Sequence, residues 1–168
     1  WLHIIFNPSF PYRFVHMLLA SGLTAAFLMA GISAYRWLRQ DRAEDVVPAL
    51  KTGIYLAAIL IPLQIVAGDL HGLNTLEHEP AKIAAMEGIW NTGKSVPAVL
   101  IALPNAQEKR NDFEVAIPSL ASFYLTHSFD GEVKGIDAFP DTHPPVLPLF
   151  LAFRLMVGIG MLMLAVSW

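Results

Sequence analysis

The stretch Gly68–Trp90, which reads GDLHGLNTLEHEPAKIAAMEGIW, follows an apolar run and is dense in titratable side chains. Asp69, His71, Glu77, His78, Glu79, Lys82 and Glu87 can each take up, release or hold a proton beside a substrate. Pro80 suits a first helical position, where its missing N–H costs nothing, and Gly88 suits a C-terminal cap. The Ala-rich residues between them predict a short helix. Lys82 and Glu87 stand five apart, on different faces of an ideal helix, and so do not form an ordinary helix ion pair. That frees a carboxylate and a cation to address a ligand. A substrate that sheds two protons as it sheds two electrons, as a quinol does, needs both: a base for the proton and a cation for the ring oxygen. Asp69, His71, Glu77 and His78 fit a proton relay, and their spacing matches no strong metal motif. The plain alternative for the whole stretch is a solvated loop with a surface helix.

Three further residues are conspicuous because they lie in apolar runs. His16 sits within Phe14–Tyr35, and Arg154 and Met156 within Val146–Trp168. A polar group in such a run needs a partner. His16 makes either a hydrogen-bonded helix contact or an axial bond to a haem iron; Met156 is either packing or the opposite axial ligand. His16 lies five residues past Pro11 and Met156 eight past Pro148. At about 1.5 Å per residue, both fall roughly one to two turns below the same outer face. Matched depth suits one six-coordinate haem, and His/Met ligation raises its potential. One turn deeper stand Ala20 and Gly160, small enough for a porphyrin plane. Arg154 either snorkels to the interface or offsets haem propionates.

The elements that must position these groups follow from composition. Of 168 residues, 55% are hydrophobic and 15% charged, with a mean hydropathy of +0.50, and the excess lies in long runs. The expected fold is an all-α membrane protein. It has about three transmembrane helices and a long extracytoplasmic loop containing short helices. Residues 1–13 form an aromatic, interfacial lead-in; 14–36 a first span; 37–50 a connector; 51–68 a second span kinked at Pro62; 69–145 the long polar loop; and 146–168 a third span. Arg36, Arg39, Arg42 and Lys51 around the connector point to the cytoplasm, which puts the loop on the periplasmic side. In the loop, SVPAVLIALP is apolar but too short to span, EKRNDFEVAIPSLASFYLTH holds one short helix, and HSFDGEVKGIDAF reads as turns. The absence of cysteine excludes disulfides and thiolate chemistry, and a net charge of -3 makes no case for nucleic acid. Trp1 and Trp168, without an initiator Met or signal peptide, lead us to expect an internal fragment of a longer protein.

With these residues in view, the chain resembles the large, haem-bearing subunit I of cytochrome bd-type quinol oxidases. It is most similar to the short-loop, cyanide-insensitive members. The motifs that carry the resemblance are GDLHGLNTLEHEPAKIAAMEGIW, FVHMLLASGLTAAFLMAGISAY and LFLAFRLMVGIGML, and it extends over the whole chain. It implies that His16 and Met156 ligate the iron of low-spin haem b, with Arg154 beside that haem. It implies that Lys82 and Glu87 belong to a quinol-binding loop on the periplasmic side of a bacterial inner membrane. Ubiquinol or menaquinol is then oxidised at the outer face, and electrons pass through low-spin haem b to a high-spin haem b and haem d, where oxygen is reduced. The ligands of those two haems, and the family's GRQPW motif, are not within these 168 residues. The chain is therefore expected to act only with the remainder of subunit I, a second oxidase subunit and membrane lipid, and to be inactive as an isolated fragment. Two other classes compete with this reading: a non-catalytic membrane anchor or assembly subunit, and an ion transporter. The absence of carboxylates from all three apolar runs weighs against transport.

Overall fold

A computed structural model describes Trp1, residues 5–140 and residues 142–168; residues 2–4 of the lead-in and Asp141 of the long loop lie outside the described residues. The chain forms two compact units, Trp1–His71 with Ile159–Trp168, and Gly72–Gly158. Among the described residues, three helices are long and apolar enough to cross a membrane: α1 (Phe10–Leu38), α2 (Val46–His78) and a last helix, Val146–Ser167. Helix is the outcome there because a run without water must satisfy its backbone polar groups internally. The fold is mostly helical, as expected, and the strands it adds are small.

The first unit is built from α1, most of α2 and the final turns of the last helix. Leu23, Ala26, Ala57 and Ile61 are buried together, with Phe27, Leu60, Met163 and Leu164 packed around them. Phe14, Met17, Leu18, Leu28 and Ile32 on α1, and Tyr55 and Ile59 on α2, stay exposed, so the helices are apolar around most of their girth. The two long helices touch almost backbone to backbone. A Cβ placed on Gly53 would lie 2.7 Å from the Ala26 carbonyl oxygen and 2.8 Å from the Ala30 nitrogen. Small residues let membrane helices approach in this way. The connector neutralises its own charge: Arg36 donates to Asp41 at 2.8 Å and to Asp45 at 2.6 Å, and Arg42 stacks over Trp37.

Helices α1 (Phe10–Leu38) and α2 (Val46–His78) run past the spans read in the sequence, whereas the last helix nearly coincides with its run. Pro11 lies in the first turn of α1, which starts at Phe10 after an N-cap at Ser9. Helix α2 continues past Gly68 to His78, so Asp69, His71 and Glu77 ride on a helix rather than in a loop. Nothing between Gly68 and His78 breaks a helix. Glu79, which precedes Pro80, does, because proline disfavours helical geometry in the residue before it.

The second unit adds α3 (Pro80–Glu87), β1 (Gly93–Lys94), β2 (Ala98–Asn105), β3 (Arg110–Ile117), α4 (Leu120–Thr126), β4 (Glu132–Val133), a 3₁₀ turn (Ile136–Ala138) and the start of α5 (Val146–Ser167). β1 pairs with β4, and β2 with β3, both antiparallel. The apolar segment SVPAVLIALP, too short to span, supplies most of β2 in the β2–β3 hairpin. Its register runs from Ala98 opposite Ile117 to Asn105 opposite Arg110, with irregularities between Val99 and Leu103. The Asn105 side chain accepts the backbone N–H groups of Gln107 and Glu108 and so closes the turn. The single short helix expected after this segment is α4. Ile83, Ile89, Val96, Ala98, Ala121, Leu125 and Val133 form the main core, and Val99, Ala102 and Phe150 a second cluster.

The Gly53 contact is testable. In the full-length protein that carries this chain, Gly53→Val forces a side chain into backbone atoms that cannot swing away. We expect a loss of about 1–3 kcal/mol, read as a lower Tm in detergent. An unchanged Tm would disprove the backbone-to-backbone contact.

Candidate functional site

Glu87 is the last residue of α3 and is almost wholly buried, at 4% exposure. Its position is set by what ends the helix. Gly88 adopts a left-handed conformation, φ 69°, as the sequence suggested for this cap. Its N–H and that of Ile89 return to the Ala84 carbonyl. A side chain at Gly88 would strain that conformation and would bring its Cβ to 3.1 Å from the Phe150 ring. Asn111, on β3, donates to the Gly88 carbonyl at 3.0 Å and accepts from the Trp90 indole N–H at 2.8 Å. Further along, the Asp137 carboxylate accepts both the N–H and the hydroxyl of Thr92. These two bonds, the hydroxyl's first, hold the Asp137 carboxyl below the usual carboxylate range. The segment after Glu87 is therefore held by β3 and by the 3₁₀ turn.

Two elements converge on the Glu87 carboxylate, which α3 carries. Arg154 Nη2, from α5, donates to Glu87 Oε2 at 2.5 Å, and the Tyr124 hydroxyl, from α4, donates to the same oxygen at 2.5 Å. The side chains of the ion pair are 15% and 5% exposed, so little water screens it. The Arg154 guanidinium also lies 5.1 Å from the Phe150 ring and 5.3 Å from the Phe153 ring, where the ring faces attract a cation. Burial, and then the charge of Glu87, push the Tyr124 phenol well above its ordinary range, so it keeps its proton and acts as a donor. Arg154 Nε is buried with no hydrogen-bond partner among the described residues.

Lys82 and Glu87 do not pair with each other, as their spacing predicts, but neither is left without a partner. Lys82 donates to Glu79 at 3.0 Å across a half-exposed surface. It lines an open cavity of about 640 Å³ with His78, Phe139 and His143. Asp69, Glu77 and His78 are exposed. His78 Nδ1 lies 2.9 Å from the Asn74 carbonyl, one turn back on its own helix.

His16 and Met156 belong to different units. His16 Nε2 lies 3.2 Å from Gln64 Nε2 on α2, and its ring is 5.9 Å from that of His71. Gly68 makes room for it, since a Cβ there would lie 3.2 Å from His16 Cε1. His16 Nδ1 and Gln64 Oε1 are buried without partners among the described residues. Met156 is 51% exposed on its helix, and a Cβ at Gly158 or at Gly160 would meet nothing within 4 Å. An orphaned imidazole nitrogen and an unpacked thioether, each in an apolar helix, fit the donor set of a His/Met haem. Sequence reasoning missed Tyr124, Asn111 and Gln64. Only Gln64 carried a signal, as the lone carboxamide in the run Thr52–Gly68.

The sequence profile of cytochrome bd terminal oxidase subunit I matches residues 1–168. The chain is 31% identical over 166 residues to the putative cytochrome bd menaquinol oxidase subunit I of Bacillus subtilis (strain 168), which covers 96% of this chain and 38% of that protein. It is 30% identical over 159 residues to the cytochrome bd-II ubiquinol oxidase subunit 1 of Escherichia coli (strain K12), covering 94% of this chain and 31% of that one. The structure of bd oxidase from Geobacillus thermodenitrificans matches with a TM-score of 0.89 and 27% identity, over 99% of this chain and 38% of that chain. The chain thus spans between 31% and 38% of the length of these relatives. With the profile covering every residue, the chain belongs to the cytochrome bd terminal oxidase subunit I family.

Proposed function

We propose that this chain is the part of a terminal respiratory oxidase at which electrons enter from ubiquinol or menaquinol, with Glu87 as the base that takes the quinol proton. The observation that carries this reading is the Glu87 carboxylate itself. It is buried, and one of its oxygens is held by a guanidinium and a phenol. The names of two relatives supply the substrate class, menaquinol in one and ubiquinol in the other.

The chemistry follows from the donors. Arg154 sets a positive charge, and Tyr124 a neutral donor, against one oxygen of the carboxylate. With Oε2 engaged twice, Oε1 is the oxygen that receives the quinol O–H. One of the quinol's two protons moves to Glu87 as the ring is oxidised, which avoids building charge on that oxygen, and the other, on the oxygen facing the open cavity, passes to water. Lys82, in its open cavity, orients the other ring oxygen. Leaving Glu79 costs it little, because half-exposed ion pairs contribute little stability. His16 and Met156 would hold low-spin haem b. Arg154 Nε, which has no partner among the described residues, is the atom available to a propionate. When bound, the haem supplies a one-electron acceptor that leads on to the high-spin haem b and haem d of the complete subunit. The basic connector favours a periplasmic quinol site in a bacterial inner membrane. The remainder of subunit I and a second subunit complete the oxidase.

In the complete oxidase, Glu87→Gln is expected to lower quinol-oxidising kcat by about 10²–10⁴-fold while leaving the haem b spectrum intact. Wild-type turnover in that variant would remove Glu87 from the reaction. Lys82→Ala is expected to act mainly on quinol KM, and unaltered kinetics would return Lys82 to the solvated surface. His16→Ala and Met156→Ala are each expected to abolish the low-spin haem b band of a reduced-minus-oxidised spectrum. A full band in both variants would end the ligation reading.

A further inference from the structure

We propose that Tyr124 is a positioning residue for quinol oxidation: its hydroxyl, donating to Glu87 Oε2 alongside Arg154, fixes the plane of the carboxylate so that Oε1 meets the substrate. This inference rests on Glu87 being the base. Tyr124 lies in a segment where the sequence showed only one short helix, and no spacing marked it.

The geometry separates two tasks on one oxygen. Arg154 Nη2 supplies charge to Oε2, but a single cation–oxygen contact leaves the carboxylate free to turn about its terminal bond, whose rotamers are broad. The Tyr124 hydroxyl, arriving from another helix, supplies the second direction that stops the turn. The hydroxyl is neutral, so it orients the carboxylate without adding a second positive charge to the buried pair. A donor from each side is also the arrangement in which an ionised acceptor makes its shortest and strongest bonds.

The support behind Tyr124 is firm. Helix α4 is seven residues long and is not held by its own backbone alone. Ser122, fully buried, accepts the Val96 N–H at 2.8 Å and donates to the Gly131 carbonyl at 2.8 Å. Ala121 and Leu125 are part of the main core, and the Tyr124 ring packs against it. The phenol thus reaches Glu87 from a fixed platform. A carboxylate displaced by about 1 Å from its reacting position can cost on the order of a hundredfold in rate.

Tyr124→Phe keeps the ring and removes only the hydroxyl. In the complete oxidase we expect kcat per haem b to fall about tenfold, with quinol KM changed less than twofold. We also expect the Glu87 carboxylate band in the redox-induced infrared difference spectrum to shift, the band being assigned by its loss in Glu87→Gln. A residue that merely packs α4 would lower Tm and leave both readouts alone. Site-specific 3-fluorotyrosine at position 124 keeps ring and hydroxyl but donates more strongly, and should move the band in the opposite direction; this holds as a test even where Tyr124→Phe does not assemble. Wild-type kcat with an unmoved band in Tyr124→Phe, or an unmoved band with 3-fluorotyrosine, overturns the inference. If Glu87→Gln abolishes turnover under the same conditions, only the role of Tyr124 falls. If Glu87→Gln retains turnover, the base and its positioning residue fall together.

Discussion

The contact on which the second unit depends is the ion pair between Glu87 and Arg154, made almost out of reach of water. Such a pair is a poor way to gain stability. Each ion loses several kcal/mol of hydration, and apolar side chains of similar volume often do as well or better. Removing one partner, by contrast, leaves a bare charge and typically costs about 3–5 kcal/mol. A chain that keeps the pair is therefore better explained by what a buried carboxylate held by a guanidinium can do than by what it adds to the fold. Gly88 makes the pair possible. Phe150 and Arg154 are four residues apart, on one face of α5. The left-handed glycine sits over Phe150, with no side chain between them, and the preceding residue then meets Arg154.

The first unit handles polarity differently. His16 faces Gln64 through their nitrogens, and each leaves one buried atom without a partner among the described residues. An unmet buried polar atom costs about 1–3 kcal/mol, so two in one helix pair mark a place where packing alone is not the purpose. The close approach at Gly53 and the space at Gly68 show how that cost is carried. Small residues supply helix-to-helix contact in one place and room for an imidazole in another.

Much of this was legible locally. The spans declared themselves by apolar runs, two of them without charge, and α3 by Pro80 and Gly88. The family resemblance then selected Lys82 and Glu87 from a crowd of titratable neighbours. The end of α2 was misplaced because polarity was taken for loop, whereas only Pro80 stops the helix. The β2–β3 hairpin was hidden because its register slips between Val99 and Leu103, which destroys the alternation that marks a half-buried strand. The partners of Glu87 were beyond reach for a different reason. Tyr124 and Arg154 are 37 and 67 residues away. A pairing made by tertiary folding leaves no spacing to read.

The two ion pairs of α3 then separate by environment rather than by residue type. Glu79 and Lys82 share a half-exposed surface, where solvent competes for both and the attraction is small. Glu87 and Arg154 share a dry one, where the same charges interact several times more strongly. In the proposed reaction the difference is useful. A cation that receives a substrate must be able to leave its partner, while a base that sets the direction of proton transfer must not. Placing Lys82 beside an open cavity and Glu87 against Tyr124 and Arg154 satisfies both demands within a helix of eight residues. The helix can be this short because Gly88 and Asn111 hold its end, a task for which its own few turns would not suffice.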